Sequence, residues 1–88
     1  MNLFTVVKEI IDNWDPIGLL AIHCPDDEYE SEIREIVTAL SYTTNAEELA
    51  SKINNILYQA FEEDFKKSND CNVIAHEILR ALHERGLR

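Results

Sequence analysis

Three observations predict an all-α fold. Four segments repeat apolar residues at helical spacing, and none alternates with the two-residue rhythm of a half-buried strand. Two glycines and two prolines supply little material for the tight turns of a many-stranded protein. The prediction is a compact bundle of four main helices, with a short extra helical turn after Asp15-Pro16. Eighty-eight residues suffice for one domain, residues 1–88, burying about 60–65% of its unfolded surface.

The first helix spans Leu3 to Trp14. Leu3, Val7, Ile10, Ile11 and Trp14 share one face, Val6 widens it, and Thr5, Glu9 and Asp12 lie opposite. Asn2 is placed to cap the first amides with its side-chain oxygen. Proline disfavours helical geometry in the residue before it, so Asp15 is expected to be extended. Pro16 then opens a helical turn with Asp15 as its cap and Ile17 and Leu20 pointing inward.

"HCPDD" breaks the chain again. Asp27-Glu28-Tyr29-Glu30 reads as a capping box, starting a second helix that runs to about Ser41. Tyr29, Ile33, Ile36, Val37 and Leu40 form its inner face, and its early carboxylates complement the positive end of the helix dipole. Thr44-Asn45-Ala46-Glu47 is a second capping box. It opens a third helix with Leu49, Ile53, Ile56, Leu57 and Ala60 in one stripe. Tyr58, Phe61 and Phe65 extend that apolar surface around the helix, which calls for a central helix packed by several neighbours or, as the less favoured reading, a helix end that meets a partner. "KKSND" ends it, since Lys66 and Lys67 suit the negative end of a helix. The fourth helix runs from Cys71 to Arg85, with Ile74, Ala75, Ile78, Leu79 and Leu82 inward and Gly86 as its stop.

No residue pattern points to catalysis or to a bound cofactor. His23, Cys24, Cys71 and His76 lack the closely spaced ligand pairs that tetrahedral zinc recruits. Cys24 is followed by Asp26, Asp27 and Glu28, whose charge raises a thiol pKa rather than lowering it. Cys71 starts a helix but has no partner group beside it in sequence. Gly18 and Gly86 stand alone, so no phosphate-binding loop is present. "PDDE" has the acids of a nuclease core without a nearby lysine. A metal-dependent hydrolase built on His23, Cys24 and these acids is the weakest alternative, and the protein is expected not to be an enzyme.

Charge is the strongest functional signal. The net charge is −9, with fourteen acidic and three basic side chains in residues 1–65, against three and five in residues 66–88. An acidic surface repels nucleic-acid backbones and anionic lipid, and speeds encounter with basic proteins. The expectation is a basic protein partner, with neither nucleic acid nor membrane. No apolar run reaches the roughly 20 residues of a membrane span. The first ten residues lack the features of a signal peptide, so a cytoplasmic location with free thiols is expected.

"WDPIGLL", "CPDDEYESEI" and "EELASKINNIL", in this order and spacing, resemble the YugE-like family of small bacterial proteins of unknown function. The similarity covers roughly Ile10 to Phe65. "EEDFKKS" stands where family members often carry a Trp-Phe-Gly-like ending on the third helix. The resemblance implies a helical fold of this length, with Trp14, Asp15 and Pro16 as a corner and Asp27, Glu28 and Tyr29 opening the second helix. It assigns no catalytic residue. For relatives encoded beside toxin genes it implies a role as immunity proteins.

Charge and resemblance together predict a non-enzymatic binding module, most concretely an immunity protein that blocks a cognate, basic, nuclease-type toxin. Asp26, Asp27, Glu28, Glu30, Glu32 and Glu35 would steer the encounter, and an exposed Tyr42 or Tyr58 would anchor it. The alternative is a housekeeping or regulatory adaptor, or a homodimer through a Tyr58–Phe61–Phe65 face. His23 and Cys24 are left without a role.

Overall fold

Asn2 begins the first helix by the route its side chain allows. Its Oδ1 accepts the Thr5 N–H at 2.8 Å and the Thr5 hydroxyl at 3.0 Å, supplying a partner to an amide that lacks one inside the helix. The computed structural model describes residues 2–18 and 29–87, with the Asp64 side chain excepted. The helices are α1 (Leu3–Trp14), α2 (Glu30–Leu40), α3 (Ala46–Phe61) and α4 (Cys71–Glu84), and no strand occurs among the described residues. Each helix packs on the next in sequence, and α1 also packs on α4, which closes the bundle. The core lies between them, built from Val6, Val7 and Ile11 of α1, Ile33 and Ile36 of α2, Leu49, Ile53 and Leu57 of α3, and Ile74, Ile78 and Leu82 of α4. The all-α bundle is as the periodicity requires, and so are its stripes except at Ala60, which is exposed in the last turn of α3.

The helix ends depart from it in instructive ways. Asp15 is left-handed (φ 50°, ψ 65°) instead of extended. Its N–H still bonds the Ile11 carbonyl at 2.8 Å, so it finishes α1 as a helix-ending residue, a conformation aspartate tolerates better than most. Its carbonyl then accepts the Gly18 N–H at 3.1 Å, giving one turn over residues 15–18, with Asp, Pro and Gly where such turns favour them. The continuation of the expected helical turn, including Leu20, lies outside the described residues.

The capping residue of α2 is Tyr29, whose side chain makes no capping bond, and the helix starts at Glu30. Asp27 and the expected capping box fall outside the described residues. The α3 box exists one residue later than expected. Asn45, not Thr44, is the cap, and its Oδ1 accepts the Glu48 N–H at 2.9 Å. The Glu48 carboxylate reaches back to the Thr44 hydroxyl and the Asn45 side-chain amide.

α3 ends at Phe61, earlier than the apolar pattern through Phe65 suggests. Glu62 adopts φ 50° and ψ −123°, a region disfavoured for any residue with a Cβ. This break turns Phe65 back into the core, where it is 6% exposed and meets the Trp14 ring edge-on at 6.0 Å. At the far end, Gly86 (φ 70°) closes α4. The Gly86 N–H bonds the His83 carbonyl and the Leu87 N–H bonds the Leu82 carbonyl, the paired bonds of a Schellman stop, and Leu87 packs on the core.

Candidate functional site

The corner between α1 and α2 gives Asp15, the acid of this connection that is described, a structural role. Tyr29 is fully buried. Its hydroxyl donates to Asp15 Oδ1 at 2.6 Å and accepts the Ile17 N–H at 3.1 Å, and its ring meets Phe61 edge-on at 6.0 Å. Trp14 Nε1 donates to Asp70 Oδ2 at 3.2 Å, and Lys67 Nζ donates to the carbonyls of Trp14 and Asp15. Asp70 therefore spends its carboxylate on Trp14 and makes no side-chain cap for α4. These residues tie α1, α2, the end of α3 and the start of α4 together.

Of the expected acidic patch, Glu30, Glu32 and Glu35 are among the described residues. Asp26, Asp27 and Glu28 lie outside the described residues, as do His23 and Cys24. Glu32 is buried at 8% exposure, so it does not belong to an exposed binding face. The cause is its place beside Ile33 and one turn before Ile36, at the margin of the buried stripe. Glu30 pairs with Arg34 one turn on. Glu35 is exposed.

The dimer face also changes. Phe65 is buried, Phe61 is half-buried against Tyr29, and of the three expected residues only Tyr58 stands clear, at 56% exposure. No continuous apolar face is formed by Tyr58, Phe61 and Phe65. Tyr42 is exposed to 59%.

Glu35 and Tyr42 come together in a groove of about 410 Å³ between α2 and α3. Arg34, Glu35, Thr38 and Tyr42 form one wall, and Lys52, Asn55, Ile56 and Gln59 form the other. The Lys52 ammonium sits 5.5 Å from the Tyr42 ring centroid, within range of a cation–π attraction. Tyr58 does not line this groove; its helical position puts it on the outer side of α3, near Glu47, Ser51 and Asn54. The sequence contains a signal for the groove that charge counting passes over. Lys52, Asn55, Ile56 and Gln59 recur at i, i+3, i+4 and i+7, a polar-edged stripe beside the buried one.

Neither a nucleophile nor a metal site emerges from the described residues. Cys71 is buried, and desolvation together with the neighbouring Asp70 charge pushes its thiol up to about 11, which keeps it protonated. His76, Arg80 and His83 are exposed on the outer face of α4. No group of three His, Cys, Asp or Glu side chains able to hold a metal ion occurs among the described residues. No helix among them is long and apolar enough to cross a membrane.

A family described as Domain of unknown function (DUF1871) matches residues 6–85. No curated protein and no solved structure matches the chain.

Proposed function

The chain belongs to this family of domains of unknown function, and we propose that it is a non-enzymatic protein-binding module, most concretely an immunity protein that neutralises a basic, nuclease-type toxin by direct binding. One observation carries the proposal: Tyr42, at the α2–α3 groove, and Tyr58, on the outer side of α3, are both more than half exposed on an acidic molecule. Tyrosine offers a large contact area at low entropic cost and is enriched among residues that dominate binding energy. Around them Glu35, Glu47 and Glu48 are exposed. They set a negative field that accelerates encounter with a basic surface. The finer assignment rests on the likeness of "WDPIGLL" and "CPDDEYESEI" to the YugE-like family, which implies an immunity role for relatives encoded beside toxin genes.

The test is stoichiometric inhibition of the nuclease activity of a basic toxin domain encoded next to this chain. Inhibition at one-to-one stoichiometry is expected, weakened at least tenfold by Tyr58→Ala or by Glu35→Lys with Glu47→Lys. Inhibition indifferent to these changes would refute the face. The absence of any complex with a neighbouring toxin would refute the immunity role.

A further inference from the structure

The α2–α3 groove gathers two of the few basic side chains of an acidic stretch of chain. Residues 1–65 contain three basic side chains against fourteen acidic ones. Two of the three, Arg34 and Lys52, line this groove, where Glu35 is the one acidic lining residue. The third, Lys8, is bonded to Asp12 at 2.7 Å on α1. The face of the Tyr42 ring holds the Lys52 ammonium at the groove, and such a contact leaves N–H donors available for an anion. Glu30 tethers the Arg34 guanidinium, yet a guanidinium has five donors and one carboxylate engages at most two of them in a fork. Half-buried Ile56 adds apolar surface and Asn55 an amide.

We infer that this groove receives an Asp or Glu side chain projecting from a partner protein. Its carboxylate lies between Arg34 and Lys52, and its flanking apolar surface rests on Tyr42 and Ile56. A single negative charge fits where a phosphate does not, because Glu35 lines the same groove and the net charge of −9 repels a dianion more strongly. The inference rests on the protein-binding proposal and specifies what the partner contributes: one acidic anchor set in an otherwise basic surface.

Nuclear magnetic resonance titration of the ¹⁵N-labelled full chain tests it without any toxin present. The probes are acetyl-Leu-Glu-amide, acetyl-Leu-Gln-amide, and acetyl-Gln-Leu with a free carboxyl terminus. Saturable shifts at Thr38, Tyr42, Lys52 and Asn55 are expected with the Glu peptide alone. Lys52→Gln should weaken its binding about tenfold, the scale of one charge-assisted bond, and Lys8→Gln should leave it unchanged. Equal binding of the Glu and Gln peptides would reduce the groove to an apolar contact. Binding of the free-terminus peptide alone would make it a receptor for chain ends, and displacement of the Glu peptide by inorganic phosphate would make it a phosphate site. Each of these outcomes, or the absence of shifts in the groove, overturns the inference. Toxin inhibition is read separately, so the wider proposal stands or falls by its own experiment.

Discussion

The Tyr29 hydroxyl and the Asp15 carboxylate meet at 2.6 Å, joining the residue that opens α2 to the residue that closes α1. Because the phenol is fully buried and also accepts the Ile17 N–H, it fixes both the backbone reversal at Asp15 and the start of α2. Tyr29→Phe keeps the ring and removes the hydroxyl, leaving the Ile17 N–H without this acceptor. The expected loss of unfolding free energy is about 1.5–3 kcal/mol, the range for a bond to a charged group. Urea denaturation checks it, with an unchanged m-value expected. A loss within the error of the extrapolation would show that the corner holds without this bond.

Glu62 and Asp15 both have φ 50°, but they should respond oppositely to glycine. Glu62→Gly relieves a backbone conformation that a Cβ disfavours. It should raise stability by on the order of 1 kcal/mol. Asp15→Gly should lower it, because the carboxylate that receives Tyr29 is lost with the side chain. Thermal unfolding of the two variants provides the comparison, and a shift of the same sign in both would contradict this account.

Phe65 and Trp14 test how α3 ends. Phe65→Ala removes a buried ring together with its edge-on contact and should cost about 3–5 kcal/mol. Trp14→Phe leaves an aromatic ring against Phe65 and gives up the bond from Nε1 to Asp70. It should cost clearly less than Phe65→Ala. Chemical denaturation of the two single variants ranks them.

Cys71 provides a pH test. Burial and Asp70 push the folded thiol up to about 11 from its ordinary value near 9.0. As pH rises past the ordinary value, the unfolded thiol ionises before the folded one. The contribution of Cys71 to stability is therefore complete below pH 9 and lost as pH rises towards 11. In a Cys24→Ser background, iodoacetamide should modify Cys71 slowly at pH 8, with its rate rising only well above pH 9. The stability difference from Cys71→Ala should shrink over the same interval. Rapid alkylation at pH 8 in the folded protein would contradict the burial.

The four helices were legible in the sequence because burying one face of a helix imposes a 3.6-residue repeat, seen from Leu3 to Trp14 and again from Cys71 to Leu82. Asn2 and Gly86 were legible for the same local reason, since capping involves only neighbouring residues. Glu62 was not. Its break follows from the position of Trp14, forty-eight residues earlier, which Phe65 must reach. Asp15 escaped because the local effect of proline was outweighed by the bonds to Ile11 and Tyr29. For the site, the charge count was readable, but pairing and burial were not. Glu32 is buried at the margin of the core stripe and Glu30 is engaged by Arg34. The groove needs α2 and α3 side by side before Arg34 and Lys52 line one cleft.

Hydrogen exchange measured on the complex with a basic partner encoded next to this chain tests the binding face most directly. Slowed exchange is expected over residues 34–42 and 46–59, which contain the groove, Tyr42 and Tyr58, with the outer face of α4 around Val73, His76 and Arg80 unchanged. Protection confined to that face of α4, with residues 34–59 exchanging as in the free protein, would contradict it.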